Sequence, residues 1–225
     1  MFLCLFLVAS FPVFAETIDE AKLAAQEGLN FFLESIPVGF EKYYGFENRE
    51  EFSWAILGEP YQMYTIHPDN LIYERPAYTN FIIPLEEWRF PVIYQGCMRT
   101  LLTVAKMNGE WKAVAIGGSG IASELDRLEK IYSFGGYRTK RALLRLYQIK
   151  ADFIAICDDS QKLEDGMFFP LQSARMAIGA NIDELIIFSL PELLLLLKQK
   201  YRFVILNLKT DEDSGGTRNN KKRKK

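Results

Sequence analysis

Few residues in this chain have the type and spacing for chemistry. His67 is the only histidine, so a Ser-His-Asp or Cys-His mechanism has to use it as the base. Within Ile66-His67-Pro68-Asp69 it reads as a loop residue, and neither Cys97 nor Cys157 stands in a nucleophile motif. Gly117-Gly118-Ser119-Gly120 lies between a strand pattern and a helix pattern, where free N–H groups and the helix dipole could hold an anion. No Walker lysine follows it, Ser123 takes the last glycine place of Gly-x-Gly-x-x-Gly, and Ile121 takes the last place of Gly-x-Ser-x-Gly. The plainer reading is a flexible connection with Ser119 capping the helix.

Metal chemistry is equally constrained. One histidine excludes a histidine-rich zinc centre, and a mixed site would need Cys97, Cys157 and His67 together. Asp158, Asp159, Glu164 and Asp165 offer oxygen ligands, but their spacing misses the EF-hand loop, and Asp165-Gly166 reads as a turn. Glu86 and Glu87 are adjacent on a strand pattern and point to opposite faces, a poor arrangement for a glycosidase pair. The sequence therefore assigns no catalytic residue, metal or cofactor, and directs attention to binding. From 40 to 88 the chain is rich in aromatics, which form either a loop-borne core or a surface that meets a ligand or partner. The binding candidates are Tyr61, Tyr64 and Trp88 with Gly118, Ser119 and Gly120.

Composition bounds the setting of that chemistry. With 225 residues, 49% of them hydrophobic, there is material for one large domain or two small ones. A formal net charge of -2 gives no global attraction to nucleic acid or membrane, and no specific nucleic-acid partner is expected. Arg218, Lys221, Lys222, Arg223, Lys224 and Lys225 concentrate positive charge in a tail (211–225) that reads as disordered, allowing weak contact with an anionic surface. Residues 1–15 are uncharged and mostly apolar, with Val13 and Ala15 at the small-residue positions before Glu16. They read as a secretory signal, too short for an ordinary membrane span, although the usual basic start is missing. Export to the periplasm or the exterior follows as an expectation. Cys97 and Cys157 would then form one disulfide or remain two buried thiols.

The elements that must position these residues read as α+β: an antiparallel β-meander with packed amphipathic helices, allowing two similar α+β halves. Asn108-Gly109 marks a type I′ hairpin. With Met107 and Glu110 paired across the turn, Lys106 faces Trp111, Val104 faces Ala113 and Leu102 faces Ala115, while Thr103 with Val114 and Leu101 with Ile116 lie on the opposite face. Phe90-Pro91-Val92-Ile93-Tyr94 and a turn at Gln95-Gly96 supply the preceding strand, where Pro91 suits an outer strand or a strand start. Ile121, Leu125, Leu128 and Tyr132 repeat at helical spacing. Thr17 and Glu20 match a capping box for a helix that buries Ile18, Ala21, Ala25, Leu29, Phe32 and Ile36 and stops at Pro37 and Gly39.

Further strands are expected over 61–66, 80–84, 167–171, 173–178 and 201–208, and 142–157 is one long β-favouring run. Ser189-Leu190-Pro191-Glu192 is a second capping box, opening a helix whose 193–197 stretch is apolar all round and must be buried or meet a partner. Gly135-Gly136 separates 16–136 from 137–210. On these grounds the chain is expected to be an exported, non-enzymatic protein that binds a protein partner through a sheet edge, aromatic loops or the apolar helix. The alternative is a hydrolase or small-ligand-binding enzyme using the 117–120 loop and His67.

Overall fold

The computed structural model describes residues 13–67, 70–71, 81–132, 139–181 and 186–200. The fold is α+β, with nine strands, mostly antiparallel, among the described residues. The chain makes two compact units, and each is drawn from two stretches. One takes the residues up to Pro60 with Glu87–Ala122; the other takes Tyr61–Glu86 with the residues from Ser123 onward. The glycine pair at 135–136, the strand expected over 201–208, the tail from 211 and most of the expected signal lie outside the described residues.

In the first unit, α1 (Val13–Glu34) packs on antiparallel strands β1 (Ile56–Leu57), the later part of β3 (Ile82–Tyr94), β4 (Cys97–Met107) and β5 (Glu110–Gly117). The Asn108-Gly109 turn forms as the sequence requires, with φ of 53° and 88°. Its first pairs are those expected, from Met107 with Glu110 to Val104 with Ala113. Beyond them the register shifts by one, so that Thr103 meets Ala115, Leu102 meets Ile116 and Leu101 meets Gly117. Val114 is the extra residue of a β-bulge, which absorbs one position without reversing the faces of Leu102 and Val104, both fully buried. A second irregularity falls between Val92 and Ile93, opposite Arg99.

The strand before the meander is thirteen residues long and absorbs the short strand expected over 80–84. Pro91 therefore lies inside β3, buried, not at a start or on an outer strand. On one side it pairs with Leu101 of β4, and on the other its carbonyl accepts from the N–H of Gly58, the residue after the two-residue β1, at 2.8 Å.

Helix α1 turns Ala21, Ala25, Leu29 and Leu33 onto Phe90, Val92, Leu102 and Val104. Gly28 marks the point of closest approach, since a Cβ there would come within 3.0 Å of the Ala113 Cβ on β5. The helix begins at Val13, so Thr17 sits inside its first turns and is not the N-cap expected from the capping box. Its C-terminus is closed by Arg49, whose guanidinium donates to the Ile36 carbonyl at 2.6 Å and to the Glu34 carbonyl at 3.1 Å. A cation on those last carbonyls also complements the helix dipole.

The second unit contains β2 (Tyr61–Ile66), β6 (Thr139–Leu146), β7 (Ala151–Asp158), β8 (Met167–Pro170) and β9 (Phe188–Ser189). Strands β6 to β9 pair in sequence order and antiparallel, while β2 runs parallel to β6 with Met63 opposite Leu143. Parallel neighbours need a long connection, and here the intervening chain builds much of the first unit. The 142–157 run is not continuous: residues 147–150 turn, with Lys150 at φ 51°, and fold it into a hairpin.

Residues expected as a strand over 173–178 form helix α3 (Gln172–Ile178) instead, with Ala174, Arg175 and Ile178 buried on one helical face. The segment is made largely of good helix formers, which outweighs the apolar alternation that suggested a strand. At 189–192 the glutamate half of the capping box forms, with the Ser189 hydroxyl turned to the Glu192 carboxylate. The Glu192 carboxylate accepts from the Ser189 N–H at 2.8 Å and its hydroxyl at 2.7 Å, and these bonds lower the Glu192 pKa. Helix α4 (190–200) then buries Leu190, Leu193, Leu194 and Leu197 against Phe153 and Phe168 while Leu195 faces solvent. Between β5 and β6 the chain passes through α2 (Ser119–Tyr132), which carries it from one unit to the other.

Candidate functional site

The expected binding aromatics are largely consumed by packing. Trp88 is buried in the first unit among α1, Phe90 and Val104. Tyr61 has no exposed surface. Its hydroxyl donates to Glu129 of α2, the Arg141 guanidinium donates to the same carboxylate, and Arg141 also lies 5.5 Å from the Tyr61 ring centre. Burial, followed by the Glu129 charge, pushes the Tyr61 phenol far above its ordinary pKa. This is a partly buried network around a fully buried ring, and it fixes β2 to α2 and β6 within the second unit. Tyr64 is half-buried, donates to Gln62 at 2.8 Å, and has its phenol pKa raised chiefly by burial.

The 117–120 loop takes a structural position. Gly118 accepts from the Ala122 N–H at 2.9 Å, which closes the first turn of α2, and Gly120 is exposed. Ser119 is the first helical residue, and its hydroxyl does not cap α2: it donates to the Tyr43 carbonyl at 2.7 Å. His67 follows β2 in the second unit, exposed, with its carbonyl accepting from Asn70. Cys97 lies beside the β3–β4 turn of the first unit, and Cys157 is buried in the core of the second. Burial raises the Cys157 pKa, which leaves the thiol protonated and unreactive.

What the structure does bring together is an apolar surface at the end of α1. Val38, Phe40 and Tyr43 are 81%, 50% and 75% exposed, and the Phe40 and Tyr43 rings lie 5.5 Å apart. A 3-10 turn at Glu41–Tyr44 creates the pairing: with three residues per turn, positions i and i+3 eclipse, and the Tyr43 N–H donates to the Phe40 carbonyl at 3.0 Å. Trp54, at the end of a second 3-10 turn (Arg49–Trp54), and Ile56 on β1 are also strongly exposed.

This surface is held from beneath. Glu41 is buried and accepts from the Gly39 N–H at 2.9 Å. Phe46 and Phe52 meet edge to face at 5.0 Å in the core. Gly45 closes the turn at φ 86°, and a Cβ there would come within 3.0 Å of the Arg99 carbonyl, so the turn sits directly on the β4 backbone. Arg49 ties the same segment to α1 through Glu34 at 2.8 Å and Glu41 at 3.6 Å, while Ser119 holds Tyr43 from the other side. The rings are thus exposed on a backbone that is fixed at both ends of the turn.

Sequence reading marked 40–88 as aromatic-rich but did not single out Phe40, Tyr43 or Trp54. The available signal was local: Phe40 and Tyr43 stand three apart just after the Pro37 and Gly39 helix stop. Among the described residues there is no cluster of three or more potential metal ligands, and no helix long and apolar enough to cross a membrane. Comparison of the chain with protein-family models, curated proteins and solved structures finds no match.

Proposed function

We propose that the chain is an exported protein that binds a protein partner through the exposed aromatic surface of its first unit. The observation that carries this reading is the Phe40 and Tyr43 ring pair, exposed on a turn pinned by Gly45, Ser119 and Arg49. Water-facing rings gain free energy when covered, about 25 cal/mol per Å² of apolar surface. Rings already held in place lose less conformational freedom on binding, which makes aromatic side chains good anchors. The sheet is a poorer candidate: β5, at the end of the strand order, carries the Val114 bulge and a Lys112 to Glu110 ion pair, both devices that discourage strand addition. The apolar helix is poorer too, because α4 directs most of its leucines into its own core.

Export fits the same element. Removal of residues 1–15 would shorten α1 by its first three residues and leave Thr17 near the new terminus, where its hydroxyl could cap the helix as the Thr17 and Glu20 spacing suggests. The test is a photocrosslinking residue placed at position 43, with one at exposed Tyr147 of the second unit as control. A discrete adduct from position 43 that disappears on Phe40→Ala supports the proposal. Equal labelling from both positions, or an adduct indifferent to Phe40, rejects it.

A further inference from the structure

The outer face of α1 carries a pattern that its fold uses only at Glu34, through Arg49. Ala21, Ala25, Leu29 and Leu33 fix which side of the helix is buried. At about 100° per residue, Glu20, Leu23, Glu27, Phe31 and Glu34 fall within roughly 80° of one another on the opposite side. All five are exposed, Leu23 at 56% and Phe31 at 70%. The two apolar residues stand about 12 Å apart along the axis, with carboxylates before, between and after them. The Phe31 ring is held edge to face against Phe32 at 5.3 Å, and Phe32 is packed against the core, so this anchor is positioned in advance.

Charge identifies what can cover this face. Residues 18–60 hold nine carboxylates and three cations, a net charge of -6 in a chain whose total is -2. The three cations already pair within the segment: Lys22 with Glu59 at 3.3 Å, Lys42 with Glu47 at 3.1 Å and Arg49 with Glu34 at 2.8 Å. Exposed Asp19, Glu20 and Glu27 add negative charge to α1 that these pairs do not balance. Such a surface repels anionic lipid and nucleic acid, and complements a cationic segment.

We infer that the outer face of α1, formed by Glu20, Leu23, Glu27, Phe31 and Glu34, docks a basic amphipathic helix of a protein partner. Apolar residues of that helix cover Leu23 and Phe31, and its Lys or Arg side chains meet Glu20 and Glu27, a helix-on-helix mode read by residues at helical spacing. This rests on the proposed binding role of the first unit and names the chemistry of the partner segment.

The test uses the full chain and two synthetic helices with the same leucine positions, one with lysines and one with glutamates at the polar positions. The lysine helix is expected to bind at least about tenfold more tightly, a difference of about 1.4 kcal/mol. Glu20→Lys with Glu27→Lys should weaken it by about tenfold or more, and Phe31→Ser should weaken it at unchanged charge. Asp158→Lys with Asp159→Lys, exposed acids of the second unit, should leave it unaltered. Equal binding of the two helices, or equal loss from the Asp158 and Asp159 reversals, overturns the inference. Circular dichroism of each variant separates lost binding from lost folding. Lysine-helix binding with no adduct from position 43 upholds the α1 face and removes the Phe40 and Tyr43 reading; the reverse combination removes the α1 face alone.

Discussion

Gly28→Ala is the sharpest test of how α1 is seated. On an exposed helix the change is stabilising by about 1 kcal/mol, because glycine loses the most backbone freedom on becoming helical. Here the added Cβ would lie within 3.0 Å of the Ala113 Cβ, whereas ordinary contact begins near 3.4 Å. Both atoms are fixed to backbone, so neither can rotate away. Overpacking of this kind costs about 1–3 kcal/mol. At the upper end of that range, the propensity gain leaves a net destabilisation of about 1–2 kcal/mol.

Ala113→Gly removes the opposing methyl, and the double variant should recover most of the loss, giving a favourable coupling of about 2 kcal/mol. The readout is urea unfolding followed by tryptophan fluorescence, since all three tryptophans, Trp54, Trp88 and Trp111, belong to the first unit. A Gly28→Ala variant more stable than the parent, or additivity between the two changes, would refute the close seating of α1 on β5.

Four other outcomes follow. Tyr61→Phe should cost about 1.5–3 kcal/mol, the range for a hydrogen bond to a charged group. The Tyr61 pKa is raised in the fold, so its contribution is complete below the unfolded value of about 10 and declines as pH rises above it; titration of stability to pH 11 should show a slope that Tyr61→Phe reduces. Arg49→Ala should destabilise by about 1–3 kcal/mol and Arg49→Lys should recover only part, because one ammonium cannot reproduce the fork between the Ile36 and Glu34 carbonyls. Leu193→Ala should cost about 2–5 kcal/mol in denaturant titrations followed by circular dichroism, while exposed Leu195→Ser should stay within about 0.5 kcal/mol.

Elements with local causes were legible in the sequence. The Asn108-Gly109 hairpin, the Gln95-Gly96 turn, the inner face of α1, the Leu125 and Leu128 face of α2 and the 189–192 cap each depend on residues a few positions apart. Features decided by distant partners were not. The Val114 bulge depends on how β5 meets α1 and β4. The turn at 147–150 interrupts a run dominated by β-branched, aromatic and leucine residues that carries no glycine or proline to mark it. Pairing of β2 with β6 joins segments nearly eighty residues apart, and loop closure over that distance leaves no local mark.

The candidate surface shows the same division. Aromatic density between 40 and 88 was plain, but which rings would be buried was not. Tyr61 lies on β2 with a carboxylate brought to it by α2, and Trp88 lies on the helix-facing side of β3, so both are taken into cores. Tyr43 and Phe40 stay outside because the 3-10 turn Glu41–Tyr44, closed by Gly45, lifts them from the same segment whose Phe46 goes inward.

The most direct measurement is the intact mass of the chain recovered, after crosslinking from position 43, from fractionated cells expressing the full sequence. The proposed role predicts a chain beginning at Glu16, in the envelope or medium, covalently joined to one other polypeptide. An uncrosslinked chain of full length in the cytosol would contradict both export and the aromatic binding surface.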